Sequence, residues 1–292
     1  MKLNHVFKHI VVFIDAIEEF IVYFLQLCFY DKVRNFIKKG TYSKPLDILV
    51  NGPSLNDSLV EIINGKLYET HEIMTVNFMT NEDCFYTLKP RYHVISDVQL
   101  FLKSEGYEDK VKSFVDCLNT KVDWEMTLFV TYGLYRNKNW RNKFYNNNIE
   151  IVPLHTIAAP RNKKVSCFFA TRGLLGANYG SVLHHAIYAG ILMGYKTICL
   201  YGADHTFFNG LFVNHDNQVC KRTEHFYDDQ SEIKPIYHLC TGERRPYTMS
   251  FFMWEYERVF LGHDIMRYIS DKMGCKIINK SKISLIDSYI RE

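Results

Sequence analysis

Short polar residues follow three successive apolar runs of this 292-residue sequence, at the point where each run ends: Asn51, Asn77 and Asp97. Their side chains can hydrogen-bond a nucleobase, a ribose or a phosphate. If the runs are neighbouring parallel strands, their carboxyl ends line one crevice, which is where ligands bind in open α/β sheets. Each residue alone is more typical of a turn or a helix cap, but the repetition favours a shared binding site.

The first of these positions has the clearest local pattern. Ile48–Val50 is a short apolar run typical of a buried parallel strand. In the Asn-Gly-Pro-Ser that follows, Gly52 permits close backbone approach, Pro53 can open a helix, and Ser54 offers a hydroxyl and a backbone amide. This arrangement suits a phosphate or nucleotide. It is equally that of an ordinary strand-to-helix turn, and it matches neither a P-loop nor a GxGxxG motif.

A second pair of signals comes later in the chain. Gly180 and Ser181 precede a long apolar run with helical spacing, so the predicted helix start offers amides to an anion or a nucleobase carbonyl. Residues 196–204 then predict a buried strand whose end carries Gly202 and Asp204. Asp204 is expected at the carboxyl edge of the sheet, where it can accept hydrogen bonds from ribose hydroxyls or a base amine.

Residues 205–247 lack a clear period and are predicted to form an irregular lid over the site. Their aromatic residues argue against disorder. The segment holds four histidines with carboxylates nearby: His205, His215, His225 and His238. A histidine paired with a carboxylate can act as a general base near neutral pH, whereas His184 and His185 in the preceding helical run are expected to cap or pack.

Alternating strand-like and helix-like segments must position these residues. Further strands are predicted over residues 72–77, 92–97, 127–132, 149–153 and 275–279, and helices over residues 98–123 and 249–272. The alternation favours an α/β fold with a single, mostly parallel, Rossmann-like sheet. The catalytic domain is expected to cover residues 46–292.

Residues 1–45 are expected to form an extra N-terminal helix and a linker. Within residues 5–37, an amphipathic helix is predicted because the polar residues fall on one narrow stripe: Lys8, Asp15, Glu19 and Gln26. The charges argue against a membrane-spanning helix, and no small-residue cleavage site indicates a signal peptide. Two interpretations stay open: packing on the core or in a homo-oligomer interface, and peripheral docking to the inner face of the cell membrane.

Composition narrows the functional classes. A net charge of +3 gives no case for nucleic acid as a partner. The eight cysteines are scattered without a CxxC pair, so neither a zinc site nor a disulfide framework is indicated. Reduced thiols in a cytoplasmic protein are expected.

The order of these motifs resembles the bacterial sialyltransferases of glycosyltransferase family 42 and the related flagellin nonulosonate transferases. The hydroxymethylpterin diphosphokinase-like group is a broader relative. The resemblance covers roughly residues 46–290, and it rests on Asn-Gly-Pro-Ser-Leu after the first strand, Asn77, Gly-Ser before a helix, and Gly-x-Asp. It implies a GT-A variant of the Rossmann-like sheet that binds a CMP-sugar and needs no metal or other cofactor.

The resemblance also implies roles for individual residues. Asn51–Gly52 would meet the phosphate and ribose side of CMP, and Asn77 would contact the donor, with Asp97 in place of a family asparagine. Ser181 would lie beside the cytosine, and Asp204 would lie at the ribose or base.

The lid departs from the family pattern. The family uses a lid histidine as general base and lid tyrosines to hold the leaving phosphate, but Phe207–Phe208 stands where such a tyrosine is expected. His225 is the preferred candidate base, with His238 as the alternative. Arg244 and Tyr247 are candidates to stabilise the departing phosphate by charge and hydrogen bonds.

The sequence therefore predicts a metal-independent glycosyltransferase with a nucleotide-sugar donor and a glycan or lipid-linked acceptor in surface polysaccharide synthesis. Two alternatives stay open. A diphosphokinase-like enzyme would need Mg²⁺ and carboxylates such as Asp97 and Asp204. A non-catalytic polysaccharide-assembly protein would use the N-terminal helix for oligomerisation.

Overall fold

A parallel sheet forms the centre of the computed structural model. The structure describes residues 2–31, 37, 40, 42–103, 106–223, 232–238 and 245–292. Side chains are described for all of these residues except 2–9, 223 and 232. The strands of the described residues are, in chain order, β1 (Leu46–Leu49), β2 (Glu72–Val76), β3 (Tyr92–Ile95), β4 (Met126–Thr131), β5 (Ile149–Leu154), β6 (Thr197–Tyr201), β7 (Phe212–Val213), β8 (Val219–Thr223), β9 (Glu232–Pro235), β10 (Lys276–Asn279) and β11 (Ile290–Arg291). Eight of them form this sheet in the order β11–β10–β6–β1–β2–β3–β4–β5, and all seven neighbouring pairs are parallel. The predicted α/β fold with one Rossmann-like sheet is confirmed.

Helices cover both faces of the sheet. The described helices are α1 (Lys2–Tyr30), α2 (Leu55–Asn64), α3 (Leu67–Thr70), α4 (Asp83–Leu88), α5 (Val98–Lys103), α6 (Glu108–Thr120), α7 (Tyr132–Tyr135), α8 (Lys138–Arg141), α9 (Lys163–Ala170), α10 (Val182–Met193) and α11 (Met249–Met273). Alternate residues of a strand point to opposite faces. Ile48 therefore joins the apolar cluster that contains residues of α1, α9, α10 and α11, whereas Leu49 joins the cluster that contains residues of α2 and α6.

The lid is less irregular than the sequence predicts. β7, β8 and β9 form a small antiparallel sheet within residues 205–247. The alternation of buried and exposed residues that would reveal this sheet is missing from the sequence. β7 has only two residues, and the adjacent Val219 and Cys220 of β8 are both buried. The two-residue strand β11 at the edge of the large sheet was not predicted either, since so short a segment carries no periodicity.

The N-terminal helix α1 packs on the helices beside the sheet through one face. Tyr23 is 2% exposed and belongs to the large apolar cluster, and Phe20 contacts the rings of Phe168 and Phe169 of α9. The Tyr23 hydroxyl donates to the Leu174 carbonyl at 2.9 Å and accepts from a backbone amide at 2.6 Å. Packing against the core is thus confirmed for this face.

The end of α1 is held by a buried carboxylate. α1 ends at Tyr30, just before the basic residues from Lys32 onwards that were expected to follow the helix. Asp31 follows it, is 3% exposed, accepts a hydrogen bond from the Thr156 amide at 2.7 Å and lies 3.2 Å from His155 Nδ1. The helix is therefore anchored to the carboxyl end of β5.

The opposite side of α1, which we call the outer face, carries large apolar side chains that are 44–71% exposed: Ile10, Phe13, Ile14, Ile17, Ile21, Phe24, Leu25 and Phe29. Of the described helices, none is long and apolar enough to cross a membrane.

Candidate functional site

A cleft with a volume of about 720 Å³ opens at the carboxyl ends of β1, β2, β3 and β6. Nine of the ten residues predicted from sequence to bind the donor line it: Asn51, Gly52, Pro53, Asn77, Asp97, Gly180, Ser181, Gly202 and Asp204. The tenth, Ser54, lies behind the lining. These positions are as far as 153 residues apart in the chain, and the parallel order of the strands brings them together.

Ser54 and Asp204 bind each other. The Ser54 amide donates to Asp204 Oδ2 at 2.8 Å, and its hydroxyl donates to Oδ1. Burial raises the pKa of Asp204, and the two hydrogen bonds from Ser54 partly offset this effect. The amide and the hydroxyl proton that Ser54 was predicted to offer to a ligand therefore already have a carboxylate acceptor. Asp204 still lines the cleft, and each carboxylate oxygen can accept a further hydrogen bond.

Two glycines allow β1 and β6 to meet at the floor of the cleft. The Gly52 amide donates to the Gly202 carbonyl at 2.9 Å, and a Cβ on Gly52 would overlap that same oxygen. Gly202 has a φ of +67°, and a Cβ there would overlap the Val50 carbonyl oxygen. Close backbone approach is confirmed. The Gly52 amide, however, is already hydrogen-bonded, so it does not point at a phosphate as the resemblance implies.

Asn51 has an unsatisfied polar atom in the lining of the cleft. Its side chain is 8% exposed, it lines the cleft, and Oδ1 has no hydrogen-bond partner among the described residues. A buried unpaired acceptor costs about 1–3 kcal/mol, and nearly all such groups in native proteins have a partner. The Oδ1 atom of Asn51 is therefore available to a hydrogen-bond donor that enters the cleft.

The ends of β2 and β3 are held by local hydrogen bonds. Asn77 adopts a left-handed φ of +52°, and its carbonyl accepts from Nε2 of the buried His93 at 2.8 Å. Burial lowers the pKa of His93 to about 4, so this donor is neutral at pH 7. Asp97 Oδ1 accepts from the Leu100 amide at 2.9 Å in the first turn of α5. Both residues are half-buried and line the cleft, so their local roles leave room for contact with a ligand.

The start of α10 forms another part of the lining. Ser181 caps this helix by accepting a hydrogen bond from the Leu183 amide at 3.2 Å, and Gly180 precedes it with a φ of +91°. A twelve-residue helix thus directs its N-terminus at the cleft, and this end favours an anion or a carbonyl oxygen. The two neighbouring histidines, His184 and His185, are buried, as predicted.

Three buried imidazoles lie side by side behind this part of the cleft. The ring of His263 is 4.3 Å from that of His184 and 4.8 Å from that of His205. Burial lowers the pKa of all three, and that of His205 falls to about 3. His205, with a φ of +52°, lines the cleft directly. At neutral pH it is an uncharged and weak base.

The lid contributes an aromatic and cationic wall that sequence reasoning missed. Phe207 and Tyr256 line the cleft with their rings 4.4 Å apart, and Lys221 of β8 donates from Nζ to the Tyr256 hydroxyl at 2.7 Å. Lys221 carries no local motif, and Tyr256 lies in a helix predicted only as a packing element. Only the contact between β8 and α11 in the folded protein identifies Lys221 and Tyr256 as neighbours in the cleft.

The predicted catalytic residues of the lid are not brought to this cleft where the structure describes them. His238 packs its ring 4.5 Å from Tyr247 and 4.4 Å from Phe251, and the Tyr247 hydroxyl donates to Glu255 at 2.7 Å. Neither His238 nor Tyr247 is among the lining residues. Aromatic packing at the start of α11 accounts for their placement. His225 and Arg244 lie outside the described residues.

The described residues form no metal-binding cluster, and their cysteines are unpaired. In the described ranges, no group of three or more His, Cys, Asp or Glu side chains is arranged to hold a metal ion. The seven cysteines that the structure describes are free thiols, and Cys240 lies outside those residues. Metal-independent catalysis stays a prediction.

Comparison with known proteins finds a distant structural likeness. No protein-family model matches the sequence, and no curated protein matches it. Among solved structures, the chain is similar to the MAf glycosyltransferase from Magnetospirillum magneticum AMB-1, with 13% sequence identity and a TM-score of 0.48. The likeness covers 88% of this chain and 35% of that one, so the chain spans about a third of the length of the structure it matches.

Proposed function

We propose that the protein is a glycosyltransferase that moves a sugar from a nucleotide donor, with CMP as the expected nucleotide, to a glycan acceptor. The observation that carries the proposal is the buried, unpaired Oδ1 of Asn51 in a cleft lined by strand ends. A donor N–H or O–H from a base or a ribose would satisfy this acceptor. The N-terminus of α10 then supplies a complementary site for a carbonyl or phosphate oxygen.

The rest of the lining supports a nucleotide rather than an apolar ligand. Polar side chains converge from four strands, as in the switch-point clefts of other α/β sheets. The volume of about 720 Å³ falls within the usual range for small-molecule sites. For the acceptor's proton we propose the lid histidine His225 as general base, since His205, whose pKa burial lowers to about 3, is too weak a base at neutral pH.

Isothermal titration calorimetry with CMP, UDP, GDP and ADP tests the donor site. We expect CMP to bind to the wild type and Asn51→Ala to weaken binding at least tenfold, because the carboxamide acceptor is lost. Asn137→Ala is the matched control, since Asn137 caps α8 outside the cleft. Absence of binding for every nucleotide would overturn the proposal, and equal losses in the two variants would remove Asn51 from the site.

We propose further that α1 docks the enzyme to an anionic membrane surface, where lipid-linked acceptors are found. The outer face of α1 is apolar and exposed, and residues 32–46 contain five basic residues and no acidic one. An apolar helix face followed by a basic segment is the pattern of an interfacial helix. Because Tyr23 and Asp31 fix α1 to the catalytic domain, the cleft would be held at a constant position relative to the surface.

Co-sedimentation with vesicles of phosphatidylcholine, with and without phosphatidylserine, tests this docking. The full chain should pellet with the anionic vesicles, and Ile17→Ser combined with Ile21→Ser should return it to the supernatant. Val60→Ser is the control, since Val60 is an exposed apolar residue of α2. If the wild type stays in the supernatant and instead forms dimers that the double variant abolishes, the outer face is a protein interface.

A further inference from the structure

Lys221 and Tyr256 form a paired cation and hydroxyl on the wall of the cleft. The Lys221 side chain is half-buried, and Nζ lies 2.7 Å from the Tyr256 hydroxyl. The ammonium also lies 5.3 Å from the ring centre of Tyr256 and 5.9 Å from that of Phe207. A lysine that is hydrogen-bonded to one aromatic side chain and lies beside a second has a restricted position, which a solvated surface lysine does not have.

The hydrogen bond determines what each partner can still do. An ammonium has three N–H donors, and Tyr256 accepts one of them. Because the tyrosine oxygen accepts from Lys221, its own proton points elsewhere and remains available for donation. The pair therefore presents N–H and O–H donors together with one positive charge, which are the features that a phosphate group requires.

The opposite side of the cleft has the contrary character. Its floor carries the carboxylates Asp97 and Asp204, so a phosphate is repelled there and attracted to the wall. Lys221 and Arg222 are the cationic residues among the described lining residues, and of these only Lys221 is half-buried. The separation of charge predicts an orientation, with the nucleoside at the floor and the phosphate at the wall.

We infer that Lys221 and Tyr256 bind the phosphate of the donor and stabilise it as it leaves. This inference rests on the proposed glycosyltransferase function and assigns the phosphate subsite within it. In the transfer, the bond between the anomeric carbon and the phosphate oxygen breaks and its electron pair stays on the phosphate. The acceptor oxygen bonds to the carbon, and the acceptor's proton passes to the general base.

During that step Lys221 keeps its proton and Tyr256 only donates a hydrogen bond. Fixed donors that meet charge as it develops contribute strongly to catalysis, because they need no reorganisation. The resemblance implies lid tyrosines that hold the leaving phosphate, but Phe207 and Phe208 stand where such a tyrosine is expected. Lys221 and Tyr256 would take over this role.

The test compares CMP with cytidine, because the two ligands differ only in the phosphate. Calorimetry on the wild type should show CMP binding at least tenfold more tightly than cytidine. Lys221→Met should reduce that ratio to near one while cytidine affinity stays unchanged, and Lys221→Arg should keep most of it. Lys234→Met is the matched control, since Lys234 pairs with Lys221 across the lid sheet and does not line the cleft.

Tyr256→Phe provides a second variant that removes only the hydroxyl. It should lower the ratio of CMP to cytidine affinity several-fold with a circular dichroism spectrum like that of the wild type. If Lys221→Met and Tyr256→Phe both keep the wild-type ratio, the inference is overturned and the nucleotide site stands. If the wild type binds neither CMP nor cytidine, the proposed CMP-dependent function fails instead, and the phosphate subsite falls with it.

Discussion

The floor and the wall of the cleft are built by different means. The floor, which comprises residues 51–54, Asn77, Asp97 and residues 202–204, consists of backbone and short side chains held by hydrogen bonds of 3.0 Å or less. The wall, which comprises Phe207, Lys221 and Tyr256, consists of long side chains in ring and cation contacts. The floor therefore tolerates almost no change in atom positions, whereas the wall can repack. This difference separates residues that shape the site from residues that tune it.

The largest effect is expected from adding one methyl group to the floor. Gly202→Ala should lower the free energy of unfolding by about 3 kcal/mol or more, because the Cβ overlaps a carbonyl oxygen and φ is positive. Gly106→Ala is the control, since Gly106 also has a positive φ but no atom within 4 Å of the added Cβ. Its cost should be only about 1 kcal/mol. If urea denaturation gives equal losses of stability for the two variants, the positive φ rather than the overlap with the carbonyl oxygen determines the cost at Gly202.

The buried histidines behind the cleft should make the protein sensitive to acid. A histidine whose pKa is lowered by folding is neutral in the native state and protonated in the unfolded state below about pH 6.5. Unfolding therefore takes up protons, and stability falls as the pH falls below that value. For His184, whose pKa burial lowers well below the usual value, the loss is about 1 kcal/mol between pH 6 and pH 5.

Urea denaturation at pH 6 and pH 5 measures this contribution. His184→Phe should reduce the pH dependence by that amount, since the unfolded variant has one fewer group to protonate. Phe101→Leu, which changes a buried side chain without a titratable group, should leave the pH dependence unchanged. An identical pH dependence in His184→Phe and the wild type would mean that His184 is not held neutral.

An effect smaller than that of Gly202→Ala is expected at the clamp that Ser54 and Asp204 form between the ends of β1 and β6. Ser54→Ala removes a hydroxyl donor to the Asp204 carboxylate and should cost about 1.5–3 kcal/mol, the usual range for a hydrogen bond to a charged group. Ser58→Ala, one helical turn later, removes a hydroxyl bond to a neutral carbonyl at 3.3 Å and should cost about 1 kcal/mol or less. Chemical denaturation at pH 7 distinguishes the two, and a reversed order would contradict the role assigned to the clamp.

The smallest effect is expected at the rim of the lid sheet. Phe212 of β7 is 46% exposed, so Phe212→Ser should change the free energy of unfolding by less than about 0.5 kcal/mol. A large loss would show that the lid sheet shares the stability of the floor, and the distinction drawn above would then fail.

The floor could be predicted from the sequence because its residues follow recognisable strands. Asn51, Asn77, Asp97 and Asp204 each end an apolar run, and the parallel topology alone brings such ends together. The role of Ser54 could not be predicted, because its partner lies 150 residues away. Lys221 and Tyr256 were missed for the same reason: their contact depends on how the lid sheet crosses α11, and no local pattern reports that crossing.

The N-terminal helix shows a different limit of sequence reasoning. The hydrophobic pattern predicts an amphipathic helix, but it does not reveal that two opposite sides of α1 are apolar and that only one is buried. Glu19, expected on a solvated polar stripe, instead accepts a hydrogen bond from the Asn162 amide at 2.8 Å. Packing on the core and contact at an exposed surface are therefore compatible, because α1 buries one face and leaves its outer face exposed.

The contact between Gly52 and Gly202 has a consequence for how relatives of this protein can diverge. A Cβ atom on either glycine would overlap a carbonyl oxygen at the end of the other strand. Neither glycine can therefore be replaced without displacing the neighbouring backbone. Two simultaneous and compensating substitutions would be needed, which random mutation rarely supplies. Among relatives of this protein, changes in what the cleft binds are therefore expected in the wall, and the two glycines of the floor should persist.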